Sequence, residues 1–118
     1  MERQKLSELS ECKSLILAVK DALDILSGKW KLLILVSLNF GNKRFKQISR
    51  DVNGITDKIL SKELKELEIN KLITRTVYDT FPPTVEYAIT EHGLTLKSVF
   101  RELENWGKLH RKEIILKE

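Results

Sequence analysis

The stretch Asn53 to Asn70, NGITDKILSKELKELEIN, limits what this chain can fold into more than any other. An Asn-Gly turn delivers the backbone to Thr56, whose hydroxyl is placed to cap a helix, and Asp57 follows where the positive end of a helix dipole favours a carboxylate. At about 100° per residue, Lys58, Ser61, Lys62 and Lys65 fall at i, i+3, i+4 and i+7 on one face, and Leu60, Leu64 and Leu67 gather on the other. The leucine face needs a core. The lysine face admits two readings: a solvated surface on which Glu63 and Glu66 pair with neighbouring lysines along the helix, or a set of donors for an anion.

The flanking segments supply a scaffold. Residues 1–13 read as a polar, flexible arm, and Ser14 to Leu26 as a first helix with an apolar stripe of Leu15, Ile16, Val19, Ala22, Leu23 and Leu26. After Ser27-Gly28, Lys29 to Phe40 reads as a second helix with Trp30, Leu33, Ile34, Ser37 and Leu38 on one side, dense enough in apolar residues for burial on most faces. Gly41-Asn42 precedes a short helix, Lys43 to Val52, that buries Phe45, Ile48 and Val52 and leaves Lys43, Arg44, Lys46 and Arg50 outside. Two short helices joined by the Val52-Asn53-Gly54 turn make a helix-turn-helix over about residues 43–70, whose second helix is shaped for a DNA major groove.

Leu72 to Tyr78 and Thr84 to Thr90 are rich in β-branched and aromatic residues and are separated by DTFPP, which predicts a hairpin, or wing, over residues 72–90. Thr90 and Glu91 then open a helix predicted to run from 91 to about 116, with Leu96, Val99, Phe100, Leu103, Trp106 and Leu109 at three- and four-residue intervals. That is more apolar surface than a compact domain of this size covers, so a second subunit is its natural recipient. The expected architecture is α+β and mainly helical, with residues 14–118 forming one winged helix-turn-helix domain.

Charge points the same way. The chain carries +4 overall in 118 residues, but Ser27 to Lys65 alone holds nine Lys and Arg against three Asp and Glu, a net of +6. Both flanks are near neutral, so the positive charge collects around the helix-turn-helix, as a phosphate-binding surface requires. No apolar run approaches the roughly 20 residues needed to span a bilayer, and the charged start MERQKLSELSECK lacks the apolar segment of a signal peptide. A cytoplasmic protein with no membrane partner is expected.

Three motifs occur in register: ALDILSGKWKLLIL at Ala22 to Leu35, RFKQI at Arg44 to Ile48 and PPTVEYAITEHG at Pro82 to Gly93. Together they closely resemble the HxlR-type winged helix-turn-helix transcriptional regulators, relatives of the MarR group, over roughly Cys12 to His110. The resemblance implies a small bacterial or archaeal protein that binds a palindromic or near-palindromic double-stranded DNA operator as a homodimer. It implies a recognition helix of Thr56 through Asn70, with Thr56, Lys58, Ser61, Lys62 and Lys65 towards DNA. Phosphate contacts would fall to Lys29, Lys43, Arg44, Lys46 and Arg75. The dimer interface would draw on the first and last helices, through Leu15, Val19, Val99, Phe100, Leu103 and Trp106. The chain departs from the family pattern in having Cys12-Lys13 where many members have Cys-Pro, and Thr84 where many have a basic residue. Its wing tip has Asp79 and no Lys or Arg.

Other chemistry finds little footing. Cys12, the single cysteine, sits just ahead of the first strong apolar pattern and beside Lys13. It is the candidate redox sensor, for an oxidant or electrophile effector, against the alternative of a small residue with no role. Trp30, Trp106 and Phe100 could line a small-molecule effector pocket, although aromatics at helical spacing more often belong to a core or interface. His92 and His110 are too far apart for a metal site, and no cofactor motif, phosphate loop or nucleophile elbow is present, so no metal, cofactor or enzymatic activity is expected. The functional alternative is a winged-helix module that binds protein instead of DNA.

Overall fold

The computed structural model describes residues 2–117. The elements in order are α1 (Glu2–Ile25), α2 (Trp30–Leu38), α3 (Phe45–Asp51), α4 (Asp57–Ile69), β1 (Ile73–Tyr78), β2 (Thr84–Ile89), α5 (Glu91–Leu94) and α6 (Lys97–Lys117). Met1 and Glu118, the outer bounds of the expected arm and domain, lie outside the described residues. The fold is a mainly helical winged helix with one two-stranded antiparallel sheet.

Helices as short as α2, α3 and α4 are marginal alone and depend on a shared core. α2 supplies Ile34, Leu35 and Leu38, α3 supplies Ile48, and α4 supplies Leu60, Leu64 and Leu67, all buried. Each such side chain contributes about 1.5–3 kcal/mol by leaving water. Val52 and Ile55 bury the two ends of the turn between α3 and α4, which reverses at Gly54 with φ +91°, a conformation that favours glycine. Thr56 caps α4 as the spacing predicts, its Oγ1 accepting from the Ile59 N–H at 3.2 Å.

The exit from α4 is also fixed locally. The Lys71 N–H donates to the Glu68 carbonyl at 2.9 Å and the Leu72 N–H to Leu67 at 3.0 Å, with Lys71 itself left-handed at φ 61°. This is a Schellman cap formed with lysine where glycine is the usual choice. The chain then enters β1, which pairs with β2 from Ile73↔Ile89 to Tyr78↔Thr84. Lys43 adds a further rung: its N–H donates to the Tyr87 carbonyl at 2.9 Å and its carbonyl accepts from the Tyr87 N–H at 2.8 Å, tethering the wing to the start of α3.

Two expectations change. The arm expected over residues 1–13 is helical from Glu2, continuous with α1. Nothing from Glu2 to Ile25 is Gly or Pro, and Leu6 and Leu9 extend the apolar spacing of Ile16 and Leu23, so no signal stops the helix earlier. The helix predicted from Glu91 onward is divided into α5 and α6. Gly93 is pressed so close to β2 that an added Cβ would lie 2.5 Å from the Leu72 carbonyl oxygen and 2.6 Å from Ile89 Cγ1. Past it the backbone tightens to i−3 hydrogen bonds, Thr95 N–H to His92 and Leu96 N–H to Gly93, and Thr95 Oγ1 also donates to the His92 carbonyl.

α1 buries none of its residues, and the molecule is elongated, with extents of 70 × 39 × 22 Å. Among the described residues no helix is long and apolar enough to cross a membrane.

Candidate nucleic-acid interface

Burial of Leu60, Leu64 and Leu67 turns the opposite side of α4 outward, and Thr56, Lys58, Ser61, Lys62 and Lys65 are all exposed there. Whether those lysines are neutralised is decided on the inner flank of the helix. Glu63 and Glu66 do not pair along α4. Both reach across to Lys31 of α2, whose Nζ lies 2.5 Å from Glu63 Oε2 and also donates to Glu66 Oε2. Burial opposes a charge on Lys31, but the hydrogen bonds to Glu63 and then Glu66 outweigh it and hold its pKa above the ordinary lysine value. The hydrogen bond from Lys31 likewise keeps the Glu66 carboxyl below its usual range. Among the described residues no ion pair involves Lys58, Lys62 or Lys65. Two of the four acidic residues of α4 are thus diverted inward; Asp57 at its start and Glu68 near its end stay exposed, and the stretch from Lys58 to Lys65 is left with a cationic outward face.

One shallow groove borders that face and a second lies between α3 and the hairpin. In the first, of about 280 Å³, Ser61, Lys65 and Glu68 of α4 meet Arg75 of β1 and Tyr87 of β2. In the other, of about 440 Å³, Arg44, Lys46, Gln47 and Arg50 around α3 surround Val85 of β2. The two strands therefore bring Arg75 to α4 and Val85 to the basic residues of α3. Arg44 also starts α3, its N–H donating to Gln47 Oε1 at 2.9 Å.

Two expected phosphate contacts are placed elsewhere. Lys43 donates to Asp51 and, at 3.2 Å, to Ser37 Oγ, and Ser37 donates to Asp51 at 2.7 Å. These bonds, from Lys43 first and then Ser37, hold the Asp51 carboxyl below its usual range, and the triad commits the lysine to bracing α3 against α2. Lys29 lies over the Trp30 ring, 4.4 Å from its centroid, and lines a separate groove with Lys97 and Arg101 of α6.

Of the residues expected at a dimer interface, Leu15, Val19, Val99, Leu103 and Trp106 are exposed, Leu15 at 65% and Trp106 at 61%. Phe100 differs: it is half-buried against the core, because α6 turns that side towards α2. Cys12 is exposed well inside α1. With the helix beginning at Glu2, Cys12 lies beyond the reach of the α1 N-terminal dipole, since that field fades within the first turn.

Lys31 is the residue the sequence reading missed. A lysine in the apolar run WKLLILVSL reads as an outward position, and Glu63 and Glu66 read as partners for their own helix. A signal was available: two glutamates at i, i+3, flanking the buried Leu64 and Leu67, call for a cation from a neighbouring element. Arg50 and Gln47 were also absent from the expected contact set. Among the described residues no group of three His, Cys, Asp or Glu could hold a metal ion.

A tri-helical core, a capped and cationic second helix and a hairpin directly after it define a winged helix-turn-helix protein. Residues 25–114 match the model of the HxlR-like helix-turn-helix family, and the chain belongs to that family. It is 39% identical over 100 residues to the HTH-type transcriptional regulator YtcD of Bacillus subtilis, spanning 85% of this chain and 79% of YtcD. An HTH-type regulator of Methanothermobacter thermautotrophicus is 41% identical over 93 residues, 79% of this chain and 71% of that one. The crystal structure of YtcD superposes with a TM-score of 0.76 over 80% of this chain and 96% of YtcD. The reduced form of the redox regulator HypR, 36% identical, does so at 0.77 over 82% and 96%. The protein is accordingly a DNA-binding transcriptional regulator and not an enzyme.

Proposed function

We propose that the protein is a cytoplasmic homodimer that seats α4 of each subunit in successive major grooves of an operator. The observation that carries this reading is the capture of Glu63 and Glu66 by Lys31, which leaves Lys58, Lys62 and Lys65 on an exposed face and in no ion pair among the described residues. Lysine and serine donate both to base edges and to phosphates, so Thr56, Lys58, Ser61, Lys62 and Lys65 serve docking and readout together. Arg44, Lys46 and Arg75, joined by Arg50, take the phosphates on either side. Residues 14–118 act as one domain, which the helical residues before Ser14 extend.

The dimer rests on surface that one subunit leaves uncovered. Leu15, Ile16, Val19 and Leu23 line a trough on α1, and Val99, Leu103, Trp106 and Leu109 are exposed along α6. Contiguous apolar helix faces of this kind are covered by a partner in a stable protein. The two-fold axis so made presents two α4 helices to one side of a duplex, about 34 Å apart or a multiple of it. For an effector, the similarity to HypR, a redox regulator, points to an oxidant, and Cys12 on the exposed surface of α1 is the thiol available here.

The test is selection of bound fragments from the source organism's genome, followed by hydroxyl-radical footprinting of the recovered duplex. Two protected major-groove segments related by a dyad, one turn or a whole number of turns apart, are expected. Enrichment of no fragment, with protein partners recovered instead through the α4 face, would replace this reading with the protein-binding module.

A further inference from the structure

The hairpin ends in a side chain that the fold does not use. Phe81 is fully exposed at the tip between β1 and β2. Its mounting is stiff: Pro82 and Pro83 restrict the backbone, Thr80 Oγ1 donates to the Pro82 carbonyl at 2.8 Å, and the Thr80 and Thr84 hydroxyls lie 2.8 Å apart. The segment from Asp79 to Pro83 contains no cation, and Asp79 is its one charge. Lower on the hairpin, Glu86 accepts from Asn42 Nδ2 and from the Tyr78 hydroxyl, both at 3.2 Å. A tip with this composition is built to present an aromatic ring and is unsuited to clamping a phosphate.

Position supplies the occupant. The base of the hairpin abuts the outward face of α4, where Arg75 and Tyr87 share a groove with Ser61 and Lys65. From Arg75 the chain reaches Phe81 in six residues, a span of at most about 20 Å. Adjacent major and minor grooves of a duplex lie half a helical turn apart, about 17 Å. A hairpin leaving the side of a helix held in the major groove is therefore long enough to bring its tip to the flanking minor groove.

We propose that Phe81 enters this minor groove as an apolar wedge and partly unstacks one base step beside each half-site. The proposal rests on the seating of α4 in the major groove. The wedge draws its affinity from the burial of the ring, so its contribution is insensitive to salt. It selects for pyrimidine–purine steps, which unstack most readily, at positions that α4 never touches.

The probe is a duplex recovered from random-sequence DNA by selection with the full chain, carrying 2-aminopurine at the flanking steps. The wild type raises 2-aminopurine fluorescence at one step beside each half-site. Phe81→Ser lowers affinity about tenfold, abolishes the fluorescence rise and leaves the salt slope unchanged, whereas Phe81→Leu keeps most of the affinity. Asp79→Lys puts a cation next to the DNA backbone and steepens the salt slope by about 0.9 per subunit. Wild-type affinity in Phe81→Ser together with an unchanged slope in Asp79→Lys would overturn the wedge and leave the α4 reading standing. Loss of affinity in Phe81→Ser accompanied by a change of sedimentation coefficient would assign the ring to a protein contact and equally overturn it. Failure of the wild type to enrich any duplex would overturn both readings together.

Discussion

Replacing Lys31 with Met tests how the helix-turn-helix is held and how its reading face stays positive. Methionine keeps most of the volume of a side chain that is only 4% exposed, but it strands Glu63, 12% exposed, and Glu66, 40% exposed, beside an apolar surface. Removing one partner of a fully buried pair costs about 3–5 kcal/mol, and because Glu66 can rehydrate, about 2–4 kcal/mol is expected here. For a chain of this size that corresponds to a fall in melting temperature of about 8–15 °C. Urea denaturation followed by circular dichroism measures the loss. Adding Glu63→Gln and Glu66→Gln to Lys31→Met restores most of it, because no unpaired charge then remains. A second readout is functional: with Lys31 gone, two uncompensated carboxylates on α4 weaken its field towards DNA, and duplex affinity falls even where the protein stays folded. A Lys31→Met variant within 0.5 kcal/mol of wild type, a change typical of neutral surface sites, would refute the argument.

The same contacts fix the acid response. Glu66 and Asp51 have folded pKa values below their ordinary 4.5 and 3.8, so the stability they confer is complete above those values and is lost as pH falls through the lowered ones. Glu66→Gln should flatten the acid limb of a stability–pH profile, and an unchanged limb would count against the Lys31 contact. Lys31 has the opposite sign: its contribution is complete below about pH 10.5 and declines as pH rises through its raised value. Lys71→Gly relieves the left-handed backbone at the end of α4 and is expected to stabilise the protein by about 1 kcal/mol in chemical denaturation, net of the entropy that glycine adds to the unfolded chain. Leu15→Glu with Val19→Glu, or Trp106→Ala with Leu103→Ala, should shift the sedimenting species to monomer. A persistent dimer in both would move the interface off α1 and α6.

The winged helix was legible because its signals are local and mutually consistent. Thr56 marks the start of α4, the Asn53-Gly54 turn separates two short amphipathic patterns, and the two prolines punctuate a β-rich stretch. What escaped was decided between elements. Lys31 and its two glutamates are thirty-two and thirty-five positions apart, and no periodicity within α2 or α4 reveals that they meet. Lys43 illustrates the same limit: its spacing places it among the basic residues of α3, but Asp51 and Ser37 claim its ammonium. The break after Leu94 depends on how tightly Gly93 sits against Leu72 and Ile89, again a tertiary fact. The extension of α1 to Glu2 was missed for a different reason, since an exposed helix rich in charge resembles a polar arm in composition.

The central claim is that the outward lysines of α4 hold DNA. The most direct measurement is duplex affinity against salt concentration for the wild type and for Lys58→Gln, Lys62→Gln and Lys65→Gln separately. A lysine on a phosphate should make the dimer's slope shallower by about 1.8, or 0.9 per subunit, and a lysine on a base edge should lower affinity and sequence preference at a nearly constant slope. Wild-type affinity, slope and preference in all three variants would contradict the account.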